Sequence, residues 1–277
     1  FKQKTAYEIR LSLVGSEMCI RDSAYEEMGI RKFAMLSPRD KFGEQYSQAF
    51  WDAVEGMGGE IVGAESYTAG DTDFRVVIDK LTGRHYESAR ARELEALAKL
   101  REEQEIKKRN RRTEKFFALT PIVDFQAVFV PDEPKVVGQV LPTFAYRDIS
   151  GVKFLGIATW NSPDLISRAQ QYAEGATFVD AFYPDSQSPT VKRFVARYQQ
   201  TFSQMPGAIE ALAFDAAGIL EQVISSSGPK TRMDLRGQLQ GVSGYSGVTG
   251  KISYSAGQFL RTLQVLTFKG GAVAEVR

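Results

Sequence analysis

Short apolar runs alternate with amphipathic stretches over most of the chain. Apolar runs of strand length occupy Lys32–Ser37, Glu60–Tyr67, Phe125–Val130, Val152–Ala158 and Gly175–Tyr183. The stretches between them carry apolar residues at helical spacing and cover residues 43–57, 74–81, 135–146 and 163–173. Strands that alternate with helices in this way predict parallel β-α-β units, with helices on both faces of the sheet.

The last third of the chain has a different pattern. Two long amphipathic helices are predicted over residues 190–203 and 208–225. From Gly241 onward the chain is rich in glycine and then alternates like strands, at Lys251–Tyr254, Leu263–Phe268 and Ala272–Val276. A hairpin turn is predicted at residues 269–271. The chain therefore ends in antiparallel hairpin structure rather than in another β-α-β unit.

Residues 1–23 follow neither pattern. They resemble the translated adapter read-through found at the ends of assembled sequence fragments, so we interpret them as a foreign, artefactual segment. A signal peptide would need an uninterrupted apolar stretch, which Glu8, Arg10 and Glu17 break. A lipoprotein signal would need small residues before Cys19, where Glu17 and Met18 stand. The segment is excluded from the predicted fold.

Residues 84–115 interrupt the alternation with a dense run of charge. Their main apolar residues are Leu94, Leu97, Leu100 and Ile106, at a spacing that fits a solvated helix. We predict an exposed, largely helical excursion with low packing density. The basic run at residues 107–112 does not indicate nucleic acid, because glutamates are interleaved through the rest of the charged segment, from Glu87 to Glu105, and no aromatic stacking residues lie among them.

Composition narrows the classes of function. The net charge is +1, which gives no reason to expect nucleic acid or an anionic membrane as partner. The longest apolar run falls short of the roughly 18 residues of a membrane helix, and the single Cys19 excludes an internal disulfide and a thiolate metal site. The one histidine, His85, lies in the charged segment, and the sequence contains neither a phosphate-loop nor an HExxH motif. We therefore predict a protein that is not an enzyme and uses no cofactor or metal.

Residues 24–81 carry a recognisable order of motifs. Asp40 is followed by Phe42-Gly43, and residues 70–74 read Gly-Asp-Thr-Asp-Phe. This order resembles the second lobe of substrate-binding proteins of the branched-chain amino-acid transport class, in which Tyr-Gly is usual where Phe42-Gly43 stands. The resemblance resumes at Asp124–Asp132, Trp160–Pro163, Tyr172–Gly175 and Ala213–Ala216.

The resemblance implies a bilobed type I periplasmic-binding-protein fold, α/β in class, with parallel sheets flanked by helices. It places the second lobe at residues 24–183, including the charged insertion 84–115. Residues 184–277 are then the remainder of the first lobe together with strands that cross the hinge. The family's opening segment has no counterpart in this sequence, so we expect an N-terminally truncated first lobe. The implied location is the periplasm.

Ligands of open parallel sheets lie outside the carboxyl ends of the strands. The residues that follow the predicted strands there are the ligand-binding candidates Asp40, Phe42, Asp71, Thr72, Asp132, Glu133, Thr159 and Trp160. Several have a structural alternative. Asp40 and Asp71 are equally suited to capping the next helix, Trp160 to anchoring its loop, and Phe42 is better explained as facing the core.

Two functions remain open. The first is a solute receptor of an ABC transporter, which captures a small molecule between its lobes and delivers it to a membrane permease. The second is an activator of a penicillin-binding protein, a cell-wall synthase, which uses the same fold to bind a protein. We expect weak binding of branched-chain amino acids, because Phe42 lacks a hydroxyl and residues 156–159 (Gly-Ile-Ala-Thr) bring no carboxylate for the ammonium group.

Overall fold

A computed structural model describes residues 28–103 and 118–276, with side chains described outside 101–103. The predictions for residues 1–23 and for the basic run 107–112 lie outside the described residues.

Ten strands form two sheets in the described parts of the chain. Their bounds are β1 Lys32–Pro38, β2 Glu60–Tyr67, β3 Ala127–Phe129, β4 Lys153–Gly156, β5 Thr177–Asp180, β6 Tyr245–Gly247, β7 Gly250–Ser255, β8 Gln258–Arg261, β9 Gln264–Lys269 and β10 Ala272–Glu275. The large sheet has the order β2-β1-β3-β4-β5-β9-β10, and its first five strands are parallel. β9 and β10 join it antiparallel, whereas β6, β7 and β8 form a separate antiparallel sheet. This confirms the predicted α/β class.

Eight α-helices flank these sheets within the described residues. Their bounds are α1 Lys41–Gly56, α2 Arg75–Leu81, α3 Ala91–Glu103, α4 Pro134–Tyr146, α5 Pro163–Ala169, α6 Pro189–Phe202, α7 Ala208–Ser227 and α8 Arg232–Gln240. Every helix that the apolar spacing predicted is present. Short 3₁₀ helices lie at residues 87–90, 158–160 and 170–173. None of the described helices is long and apolar enough to cross a membrane.

Local side chains explain where several helices begin. The Asp40 carboxylate accepts a hydrogen bond from the Gly43 amide at 2.8 Å and caps α1. Ser162 caps α5 in the same way, with Pro163 in the first turn. At the start of α2, Phe74 stands at the cap position without a side-chain bond, so Asp71 does not cap this helix. The Asp73 carboxylate accepts the Arg75 amide at 3.0 Å and also forms an ion pair with the Arg75 guanidinium.

The core of the large sheet is built around aromatic side chains. Phe50 of α1 stacks on Phe129 of β3 with ring centroids 4.2 Å apart, and Phe33 of β1 meets Phe50 edge-on at 5.7 Å. Pro142 lies inside α4, where it removes one backbone donor. The core continues into β9, because Phe268 packs against Phe178 of β5. The tail hairpin therefore belongs to the same sheet as residues 32–180.

Residues 182–261 form a smaller region with its own core. This small region packs five buried residues together: Phe182, Val191, Phe194, Ala211 and Val248. The carboxylate of Asp215 on α7 accepts bonds from the Val248 and Thr249 amides, both at 2.8 Å, and so fixes the turn between β6 and β7. The sequence pattern predicted β7 of this sheet but neither β6 nor β8. The boundary between two lobes stays a prediction.

The described part of the charged segment is the exposed helical excursion that was predicted. Leu94 and Leu97 of α3 are half-buried and Leu100 is exposed, so none of the three enters the core. Two arginines tie its start to the chain that follows it. Arg84 donates to the carbonyls of Leu119 and Arg147, both at 2.6 Å, and Arg90 donates to the carbonyl of Thr120 at 2.7 Å.

Candidate ligand-binding site

The carboxyl ends of the five parallel strands meet at one edge of the large sheet. We call this edge the rim and define it as residues 38–43, 67–72, 130–133, 157–161 and 180–183. It is the position at which open α/β sheets bind ligands. All eight predicted site residues lie on the rim, but the structure gives them different surroundings.

Asp132, which follows β3, connects the ends of β2, β3 and β4 at the centre of the rim. The Tyr67 hydroxyl, at the end of β2, donates a hydrogen bond to Asp132 Oδ2. Asp132 Oδ1 accepts the Glu133 amide at 2.6 Å. The Thr159 hydroxyl, beyond β4, donates to the Asp132 carbonyl at 2.8 Å. The candidates Asp132, Glu133 and Thr159 are therefore brought together, and Tyr67 joins them.

The charged side chains in this group are all carboxylates. Burial raises the pKa of Asp132, and the hydrogen bonds from Tyr67 and the Glu133 amide oppose that rise. Burial also raises the pKa of Tyr67, and the bond to Asp132 adds to the effect, so the phenol stays protonated and donates. Asp40 and Glu133 are close enough to raise the pKa of Asp132 further. A cationic or hydroxyl-bearing group would meet complementary partners here.

Asp40 and Phe42 lie beside this group on the first turn of α1. Asp40 caps the helix, which is the structural alternative to its role as a ligand-binding candidate. The expectation that Phe42 faces the core is wrong. Its side chain is 39 % exposed and packs on Tyr46, with ring centroids 4.6 Å apart. Phe42 therefore offers an aromatic surface to solvent next to the acidic group.

Gly43 explains how α1 comes so close to the rim. A Cβ atom at this position would lie 2.0 Å from the carbonyl oxygen of Pro38. The first turn of the helix can therefore pack directly on the end of β1 only because residue 43 is glycine. This contact holds Asp40 and Phe42 at the edge of the sheet.

Asp71 and Thr72 are exposed in the loop after β2. The Asp71 carboxylate accepts the Thr68 amide at 2.9 Å, which closes its own loop, so the proposed cap of the following helix is wrong. Glu133, next to Asp132, is likewise exposed. These three side chains are accessible at the outer part of the rim.

Trp160 does not line the rim surface. Its side chain is 0 % exposed and lies over Gly156, where a Cβ atom would be 2.0 Å from the indole Cδ2. The indole fills the space that the glycine leaves open. Of its two interpretations the loop anchor is therefore correct, and the ligand-binding assignment of Trp160 is wrong.

Sequence reasoning missed a second polar pair on the rim. The Asn161 side-chain amide donates to Asp180 Oδ2 at 2.8 Å and to the Phe182 carbonyl at 3.2 Å. Burial raises the pKa of Asp180, while its bonds to Asn161 and the Ala181 amide oppose the rise. Asn161 follows Trp160 directly, so its position after a strand was an available signal, whereas Asp180 lies inside the predicted strand Gly175–Tyr183 and carried none.

A cavity of about 780 Å³ opens beside this pair. Its wall includes Thr159, Asn161, Asp180, Phe182, Tyr183 and Val273. Carboxylates thus reach the rim from β3 and β5, although the end of β4 brings none. The expectation that the ammonium of an amino acid would lack a charged partner rested on β4 alone.

Groups suited to catalysis or metal binding lie apart from the rim or are not assembled in the described residues. His85 lies outside the rim, in the charged segment, and meets the Tyr86 ring edge-on at 5.4 Å. Among residues 28–103 and 118–276, no group of three or more His, Cys, Asp or Glu side chains is arranged to hold a metal ion. What the rim offers is a binding surface of carboxylates, hydroxyls and one exposed aromatic ring.

Comparison with known families identifies the proteins to which this chain is related. The model of the periplasmic binding protein family matches residues 21–272, and the chain therefore belongs to this family. The comparison with curated proteins found no match.

Solved structures share the fold at low sequence identity. A Rhodospirillum rubrum protein assigned to branched-chain amino acid ABC transport has a TM-score of 0.72 and 22 % identity, over 95 % of this chain and 65 % of its own. The substrate-binding protein LivJ of Streptococcus pneumoniae, in complex with isoleucine, has a TM-score of 0.62 and 20 % identity over the same shares. A solute-binding protein of R. palustris in complex with benzoate has a TM-score of 0.59 and 14 % identity, over 95 % of this chain and 62 % of its own. The chain thus spans less than two thirds of the length of these structures.

Proposed function

We propose that this chain carries one wall of the ligand cleft of an extracytoplasmic solute-binding protein, which serves an ABC transporter and captures its ligand without catalysis. The observation that carries the proposal is the linked group of Tyr67, Asp132 and Thr159 at the carboxyl end of three parallel strands. Membership of the periplasmic binding protein family supports the extracytoplasmic location and the role in binding. The partners would be a small solute and a membrane permease.

The acidic rim favours a ligand that carries an amino group. Asp40, Asp132 and Glu133 stand near one another, and Asp132 is partly removed from water. A carboxylate in such surroundings gains more from a charge-assisted hydrogen bond than it would in bulk water. Asp132 would then supply the charged partner that the end of β4 does not. The missing hydroxyl at Phe42 remains a reason to expect modest affinity for branched-chain amino acids.

The alternative function, activation of a cell-wall synthase, would use the same fold as a protein-binding surface. The exposed α3 excursion is compatible with it. The matched structures named above belong to transport proteins, one with isoleucine and one with benzoate bound, and this favours the receptor. Weak, saturable binding of a small solute at the rim would favour the receptor over the synthase activator.

Calorimetric titration of the full chain with isoleucine, and with benzoate as a probe without an amino group, tests the proposal. We expect saturable isoleucine binding with a Kd above about 1 µM. Asp132→Asn should weaken it by roughly tenfold or more, the effect of losing a charge-assisted bond. Asp52→Asn, an exposed carboxylate bonded to Gln48 on α1, is the matched control and should leave the Kd unchanged. Equal binding by wild type and Asp132→Asn, or tighter binding of benzoate than of isoleucine, would contradict the proposal.

A further inference from the structure

The small region contains a second cavity, away from the rim. It has a volume of about 260 Å³ and lies between α7, α8 and the β7–β8 hairpin. Its apolar wall is formed by Leu212, Ile219, Leu220, Leu239, Ile252 and Phe259. At about 30 Å³ for each water in the liquid, the space corresponds to roughly nine water molecules. It is therefore the size of a small organic molecule.

Arg261 is the cation of this cavity. Its Nη1 donates to the Thr249 hydroxyl at 2.9 Å. Within the described residues this is the guanidinium's one hydrogen bond, and it has no ion-pair partner there. A guanidinium has five N–H donors, so most of its donor capacity is free of protein partners in the described parts of the chain. Burial lowers the pKa of Arg261, because a partly buried guanidinium is less well hydrated, and the charge of Asp215 opposes this.

Asp215 also lines the cavity but accepts no hydrogen bond from the Arg261 guanidinium in the described structure. Its two carboxylate oxygens accept the Val248 amide, the Thr249 amide and the Thr249 hydroxyl, at 2.8, 2.8 and 2.6 Å. The carboxylate is thus committed to the turn between β6 and β7, where a Cβ atom on Gly247 would lie 2.4 Å from it. It attracts Arg261 through space and leaves the guanidinium available to another anion.

We propose that this cavity binds a small monocarboxylate with an aliphatic body, whose carboxylate pairs with Arg261 while its body packs on the leucine and isoleucine wall. A planar guanidinium matches a carboxylate in shape and can donate two parallel bonds to it. An apolar body fits walls that offer few other polar groups, and pairing relieves the cost of a buried charge. An added ammonium group is disfavoured, since it would enter the apolar space beside Arg261 while the Asp215 oxygens are already bonded. The site is separate from the rim, so it does not depend on the function proposed there.

Titration of the full chain with 4-methylpentanoate tests this proposal, with 4-methylpentanamide as an uncharged probe of nearly the same shape. The acid should bind saturably at concentrations below about 10 mM, and the amide should bind at least roughly tenfold more weakly. Leucine, which adds an ammonium group to the same skeleton, should not compete at this cavity. Equal binding of acid and amide, or absence of saturable acid binding, would overturn the assignment.

Two variants act on the cavity in different ways. Arg261→Met removes the charge and keeps most of the side-chain length. Ala216→Met fills the cavity from α7 and leaves the bond between Arg261 and Thr249 in place. Each should weaken binding of the acid by roughly tenfold or more, while Asp52→Asn on the distant α1 should not. Unchanged affinity in Ala216→Met, when circular dichroism shows that the variant is folded, would overturn the proposal even if Arg261→Met failed to fold.

Discussion

The large sheet and the small region differ in how they bury their apolar residues. The large sheet has a completely buried aromatic centre: Phe33, Phe50, Phe129 and Phe178 all have 0 % exposure. The small region buries a cluster of only five residues and leaves much of α7 uncovered. On that helix Ile209 is 79 % exposed and Ile224 is 53 % exposed.

This difference shows why the rim is the better candidate for a binding site. Binding groups need support from rigid elements if they are to keep their geometry. Tyr67, Asp132 and Thr159 stand at the ends of strands whose other residues form the aromatic core. The exposed face of α7 has no comparable support, so the two regions should respond very differently to the same kind of substitution.

The largest difference is expected from truncation of a large aromatic side chain. Phe129→Ala removes a ring stacked on Phe50 in the middle of the large sheet and should lower the unfolding free energy by about 3–5 kcal/mol. Phe202→Ala truncates a ring of the small region that is 58 % exposed, and it should change stability by less than about 1 kcal/mol. Urea denaturation followed by circular dichroism measures both. Similar losses in the two variants would remove the contrast between the regions.

A smaller effect is expected from two glycines of the same helix. Gly43→Ala places a methyl group against the Pro38 carbonyl and should cost about 1–3 kcal/mol, because the end of β1 has to move. Gly56→Ala meets nothing within 4 Å and should stabilise α1 by about 0.5–1 kcal/mol. The same denaturation experiment separates them. If Gly43→Ala were neutral, the close approach of α1 to the rim would be in doubt.

The pH dependence of stability probes the buried carboxyl group of the rim. Because burial raises the pKa of Asp132, the native protein holds this proton more tightly than the unfolded chain. Its contribution to the unfolding free energy is therefore largest below the ordinary carboxyl pKa and is lost as pH rises through the raised value. The stability of wild type relative to Asp132→Asn should fall as the pH rises above the ordinary carboxyl range. A relative stability that rose over this range would mean that ion pairing, not burial, controls Asp132.

The smallest effect on stability is expected on the exposed face of α7. Lysine at both Ile209 and Ile224 should change the unfolding free energy by less than about 1 kcal/mol, because these side chains bury little surface in the described structure. The double variant should also self-associate less, since a contiguous apolar face is removed. Sedimentation velocity measures the association. A large loss of stability would show that the face is covered in the folded protein.

Much of the fold could be predicted because its signals are local. Alternating apolar runs indicated the five parallel strands, and Lys269-Gly270-Gly271 indicated the hairpin of β9 and β10. The pairing of β9 with β5 joins Thr177 to Thr267 across most of the last third of the chain, and no local pattern encodes that contact. Position after a strand was enough to place all eight candidates on the rim.

The orientation of individual side chains could not be predicted in the same way. Trp160 is buried because Gly156, the last residue of β4, leaves room for its indole. Phe42 packs its ring on Tyr46, one turn further along α1, and stays partly exposed. Tyr67 and Asp180 looked like ordinary strand residues, since their partners Asp132 and Asn161 follow other strands of the sheet. Such contacts depend on strand order, which the sequence pattern does not contain.

The central claim is that a solute binds at the rim of the large sheet. Nuclear magnetic resonance of the isotopically labelled full chain, titrated with isoleucine, tests the location directly and detects weak binding. We predict that the perturbed amides cluster at residues 40–43, 67–72, 132–133 and 159–161. Perturbations confined to the small region or to the segment around His85, with the rim amides unmoved at saturation, would contradict the account.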